Sequence, residues 1–66
     1  MATSARSIPA YIKAVRAAAG ENTTTFGARF GASKRTAENW EQGRNQPHPM
    51  VLKAILELGR SLGVKA

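Results

Sequence analysis

The apolar residues of this chain fall into four short runs at helical spacing, and a glycine stands at or near the end of each. Glycine just beyond a helix takes the left-handed conformation that closes the last turn, because it has no Cβ to clash. In the first run Ile8, Tyr11, Ile12, Val15 and Ala19 keep helical phase between a Ser7 cap, with Pro9 in the first turn, and Gly20. That pattern predicts a helix over roughly 8–19. The second run, capped by Asn22 and ended by Gly31, carries Phe26 and Phe30 as an i,i+4 pair. Ser33 caps a third helix over roughly 34–42, which Gly43 closes. Pro49 opens the fourth, with Val51, Leu52, Ile55, Leu56 and Leu58 on a broad apolar face; Gly59 ends it, or it continues to Leu62 before Gly63. No segment alternates as a strand does, so the expected fold is all-α, a compact bundle of four or five helices. Residues 1–7 are small, polar and without periodicity, and are expected to form a flexible N-terminal arm ahead of one domain over 8–66.

Size and charge narrow the function. A domain of 66 residues buries only about 60% of its unfolded surface, so its apolar positions are needed for the core and leave no room for a catalytic cleft. The absence of cysteine excludes disulfides and thiolate zinc sites. No nucleophile sits beside a base, and there is no carboxylate pair, metal-ligand spacing or nucleotide-binding glycine loop, so neither enzyme activity nor a cofactor nor a small-molecule substrate is expected. His48 stands alone and is expected to cap the fourth helix or face solvent. Ten Lys and Arg against four acids give a net charge of +6, a field that favours polyanions. No run reaches membrane-spanning length, the N-terminus lacks a signal peptide's apolar core, and no basic amphipathic helix carries bulky aromatics opposite its charges. A cytoplasmic protein with no membrane partner is therefore expected.

The second and third helices carry the chemistry. Three successive threonines, Thr23 to Thr25, form helix poorly because β-branching restricts χ1, so the second helix must be held by packing of Phe26 and Phe30. Gly27 beside them costs about 1 kcal/mol relative to alanine, a cost consistent with close approach of another helix. Ala37 and Trp40 lie at i,i+3 in the third helix and face inward, Trp40 as core rather than as a base-stacking residue. Lys34, Arg35 and Asn39 then form a polar surface suited to base edges, Arg and Lys for guanine O6 and N7, Asn for adenine N6 and N7. Thr36 is open between contact with a thymine methyl or phosphate and a packing or backbone-bonding role. Ser33 is first a cap, with a phosphate contact through its hydroxyl or N–H as an added role. Glu38 has three readings, acceptor from cytosine N4, support for Arg35, or a solvated charge, and a positioning role is the expectation.

Phe26-Gly27-Ala28-Arg29-Phe30-Gly31 and then Ser33, Thr36, Trp40, Glu41, Gly43 and Pro47 follow a known pattern. Together they resemble the helix-turn-helix of the Cro/repressor family, also called Xre-like, in which an apolar, small, apolar-before-glycine helix precedes Ser-x-x-Thr-Val-x-x-Trp-Glu-x-Gly-x-x-x-Pro. The likeness runs from the first helix to the start of the fourth. It departs at Ala37, where the family usually carries Val or Ile, and at Thr23, where many members carry Gln. The resemblance implies a lambda repressor-like bundle. It implies that Lys34, Arg35 and Asn39 reach base edges, that Thr23 binds a phosphate at the start of the second helix, and that the loop after the third helix touches the sugar-phosphate backbone through Gln42 and Arg44. It also implies an ion pair between Glu41 and Arg16 of the first helix. Arg29 and Lys13 are expected to be solvated or distant neighbours of phosphates, and Arg6 is a weaker candidate for a minor groove.

The function expected from these residues and this resemblance is sequence-specific binding of double-stranded DNA by a transcriptional regulator. A repressor of phage, plasmid or toxin–antitoxin type is the expectation, reading the major groove with residues 34–42. One recognition helix reads few base pairs, so the expected partner is a palindromic operator bound by a weak homodimer, formed largely on DNA, with half-sites about 10 bp apart. Leu58, Leu62 and Val64 are candidates for the dimer contact. The alternative is a protein-interaction module, an antitoxin or polymerase-binding adaptor built on the same frame.

Overall fold

A computed structural model describes residues 7–65. The expected arm, apart from Ser7, and Arg6 within it lie outside the described residues. Four helices follow one another, α1 (Ile8–Ala18), α2 (Thr23–Arg29), α3 (Lys34–Gln42) and α4 (Pro49–Ser61), with no strand among the described residues. No helix among them is long and apolar enough to cross a membrane.

Local sequence explains each start. Ser7 Oγ accepts from Ala10 N at 3.3 Å, Asn22 Oδ1 from Thr25 N at 2.8 Å and Ser33 Oγ from Thr36 N at 3.2 Å. These bonds satisfy backbone donors that have no partner inside the helix. His48 does the same for α4, its Nδ1 accepting from Met50 N at 3.1 Å while the residue stays exposed.

Tyr11, Ile12, Val15, Phe26, Ala37, Trp40 and Ile55 form the buried core, with Phe30, Ala32, Val51, Leu58 and Val64 partly buried around it. α3 packs against both α2 and α1, and α4 packs against α1. Phe26 and Phe30 meet edge to face, with ring centroids 5.1 Å apart, a favoured aromatic geometry.

Gly59 decides between the two ends that the sequence left open for α4. It does not end α4 but lies buried inside it, and the helix continues to Ser61 with Leu62 as its C-cap. The reason is tertiary: a Cβ at Gly59 would stand 2.9 Å from Tyr11 Cζ and 2.9 Å from Val15 Cγ2. The missing side chain lets α4 close on α1. The chain then turns at Gly63, Val64 N donates to Gly59 O at 2.8 Å, and Tyr11 Oη donates to Val64 O at 3.4 Å.

Gly27 has a similar cause with a different neighbour. A Cβ there would lie 2.9 Å from the carbonyl oxygens of both Ala32 and Ser33 and 3.3 Å from Ala37 Cβ. The turn leading into α3 therefore crowds this position as much as the helix itself does. The small Ala37 belongs to the same contact, which accounts for alanine where a bulkier β-branched residue was the family expectation. Gly27→Ala is expected to destabilise by about 1–3 kcal/mol through overpacking, although alanine adds about 1 kcal/mol of helix propensity. Urea unfolding checks the sign; a more stable variant means that the turn yields.

Candidate nucleic-acid interface

The burial of Ala37 and Trp40 sets the orientation of α3. At about 100° per residue, the face opposite those two is centred on Arg35 and Gln42, with Glu38 on one flank and Asn39 on the other. Lys34 lies at the edge on the Glu38 side, and Thr36 near the core on the Asn39 side. Exposure agrees with this phase: Lys34, Arg35 and Gln42 are exposed, whereas Thr36, Glu38 and Asn39 are half-buried. One surface thus carries two cations, two amides and one carboxylate.

Capping draws two candidates into local bonds. Ser33 Oγ accepts from Thr36 N and donates to Thr36 Oγ1 at 3.1 Å. The Ser33 hydroxyl is therefore engaged with Thr36 in the cap, while the residue itself is exposed. Thr36 is half-buried and holds the cap with Ser33, so its geometry serves backbone bonding.

The end of α3 is fixed equally firmly. Gly43 takes φ 78°, the left-handed region, and Arg44 N donates to Asn39 O at 3.0 Å. The Arg44 side chain is exposed in the loop that follows, while Pro47 is buried.

Behind α3, Arg16 and Glu41 form a bidentate pair, Nε to Oε2 at 2.6 Å and Nη2 to Oε1 at 3.2 Å. Arg16 Nη1 also donates to Glu21 O at 3.1 Å. The hydrogen bond Arg16 donates to Glu41, together with the carboxylate's charge, raises the Arg16 pKa against the opposing effect of burial. A second pair went unread in the sequence: Glu21 accepts from Arg29 through both carboxylate oxygens. Arg29 is exposed, yet its guanidinium is committed to Glu21, which raises its pKa. A separation of eight residues across a linker is not a helical spacing, so no periodic signal marked this pair.

Lys13, Arg16, Thr23, Glu38, Glu41 and Gln42 line a cleft of about 270 Å³. Two residues expected at phosphates, Thr23 and Gln42, therefore share one opening with Lys13 and Glu38. Among the described residues, no group of three or more His, Cys, Asp or Glu is placed to hold a metal. No family model, curated protein or solved structure matches this chain.

Proposed function

We propose that this chain is a sequence-specific binder of double-stranded DNA that regulates transcription, most simply by repression, with α2 and α3 acting as a helix-turn-helix. The observation that carries this reading is the two-sided character of α3. Ala37 and Trp40 are buried, while Arg35, Lys34, Asn39 and Gln42 occupy the remaining faces of a chain with net charge +6. An α-helix fits the major groove, and these side-chain types match base edges and phosphates there. Lys34, Arg35 and Asn39 read bases; Thr23, Gln42 and Arg44 hold phosphates. Ser33 adds its backbone to the phosphate contacts, and Thr36 supports the cap and adds a base contact only where the cap allows.

Selection of bound duplexes from a random pool at physiological salt tests this directly. A palindromic consensus supports readout by two copies, with half-sites about 10 bp apart; no enrichment sinks the proposal. Two substitutions separate the roles. Arg35→Ala is expected to cost about 1–3 kcal/mol and to relax preference at one base position. Arg44→Ala is expected to weaken all sequences about equally and to reduce the salt slope by about 1. Unchanged affinity and preference in Arg35→Ala would remove it from the readout.

The dimer proposed on such a site has a narrower basis than the sequence implied. Leu58 and Val64 are packed against the core, and of the three tail residues only Leu62 is exposed, at 41%. Exposed Met50 and Leu56 on α4 favour the second reading, a protein-interaction module. Salt separates the two. Binding through six to ten phosphates falls about 10³ to 10⁵ between 50 and 200 mM salt, and an apolar protein interface falls far less.

A further inference from the structure

Glu38 is the only acid on the outward half of α3, and among the described residues no side chain pairs with it. The chain has four acids. Two of them, Glu21 and Glu41, are held by Arg29 and Arg16, and Glu57 is exposed on α4. Glu38 makes no ion pair among the described residues, Arg35 included, so the positioning role expected for it has no bond to carry it. It is half-buried at the cleft that also holds Thr23, Gln42 and Lys13, on the flank of the face centred on Arg35 and Gln42.

A carboxylate on a surface that meets a polyanion gains nothing from phosphates, which are acceptors like itself. Base edges differ. In the major groove cytosine offers its N4 amino donor, whereas guanine presents N7 and O6 and thymine presents O4, all acceptors. An ionised carboxylate accepts only. It therefore bonds cytosine N4, meets the adenine N6 donor only beside the repelling N7 acceptor, and repels guanine and thymine by placing acceptor against acceptor.

We infer that Glu38 is a specificity-determining residue that selects cytosine at one base position and rejects guanine and thymine there. This rests on the duplex-binding reading above. It adds a residue whose contribution is discrimination rather than affinity, since the same charge weakens binding to every phosphate nearby.

The test is duplex selection with the wild-type chain and with Glu38→Gln, followed by titration of the consensus duplex and of one with guanine at the assigned position. Glutamine keeps the shape and supplies a donor as well as an acceptor. The cytosine-over-guanine ratio is expected to fall roughly 10-fold or more. Preferences elsewhere in the site should stay as they are, and binding to unrelated duplex should be equal or tighter. Glu38→Ala should lose the same discrimination without adding a donor, and an unchanged melting midpoint in either variant is expected because no bond to Glu38 is lost. If both variants tighten every sequence alike and keep every base preference, Glu38 is only a charge and the inference fails. If the wild-type chain enriches no consensus, the duplex reading itself fails, and that outcome appears before any substitution is made.

Discussion

Trp40→Ala is expected to remove about 3–5 kcal/mol of folding stability, most of what a chain of 66 residues possesses. Native domains of this length hold roughly 3–10 kcal/mol in total. Trp40 is 5% exposed and shares the core with Tyr11, Ile12, Val15, Phe26, Ala37 and Ile55. Truncation leaves a cavity between α3 and its neighbours that a small core has little material to fill. Domains this small lose about 4–8 °C of melting midpoint per kcal/mol, so the variant should be largely unfolded at or near room temperature. Circular dichroism is the measurement, because Trp40 is the only tryptophan and its fluorescence disappears with it. DNA binding should vanish along with helicity and return with any added stabilisation. A variant that stays helical to near the wild-type midpoint while losing DNA would make Trp40 a contact residue and reverse the orientation of α3.

That orientation was legible in the sequence because its determinants are local. Ser7, Asn22 and Ser33 each bond a backbone N–H three residues on, a distance that spacing alone reveals. The phase of α3 follows from Ala37 and Trp40 in the same way. What escaped depends on neighbours remote in the chain. Gly59 after an apolar run left the end of the helix open between 59 and 62, and the Tyr11 and Val15 side chains lying against it explain why the helix passes through. The Glu21–Arg29 pair joins a linker to the end of α2 and has no spacing to announce it. Gln42 is a subtler case. Helical arithmetic already puts it beside Arg35, but its nearness to the following loop suggested a phosphate role alone. The bond from Ser33 to Thr36 was likewise invisible, since Oγ donors leave no trace in residue type.

Arg16 and Glu41 are 25 positions apart, and their pairing came from family likeness rather than from any pattern in the residues. Their side chains are 20% and 10% exposed and line an open cleft, so the pair stands between the surface class worth about 0–1 kcal/mol and a fully buried one. Removing one partner leaves the other charged in a part-buried position, a loss of about 1–3 kcal/mol. The two halves are not equivalent. Arg16 also donates to Glu21 O, so Arg16→Met strands a carboxylate and a carbonyl together, the second adding about 1 kcal/mol. After Glu41→Leu, Arg16 keeps the Glu21 carbonyl and can lift its head group toward water along its flexible stem. Arg16→Met is therefore expected to be the more damaging single change. The double variant should recover much of the loss, because apolar residues of similar volume often replace a buried ion pair at little cost. A double-mutant cycle in urea measures the coupling directly. Singles within about 0.5 kcal/mol of wild type, with no coupling, would show that the pair behaves as a solvated one. With the expected coupling, Arg16 ties α1 to the back of the helix whose front is proposed to meet the bases, and on that proposal the double variant should bind duplex DNA with the fold restored.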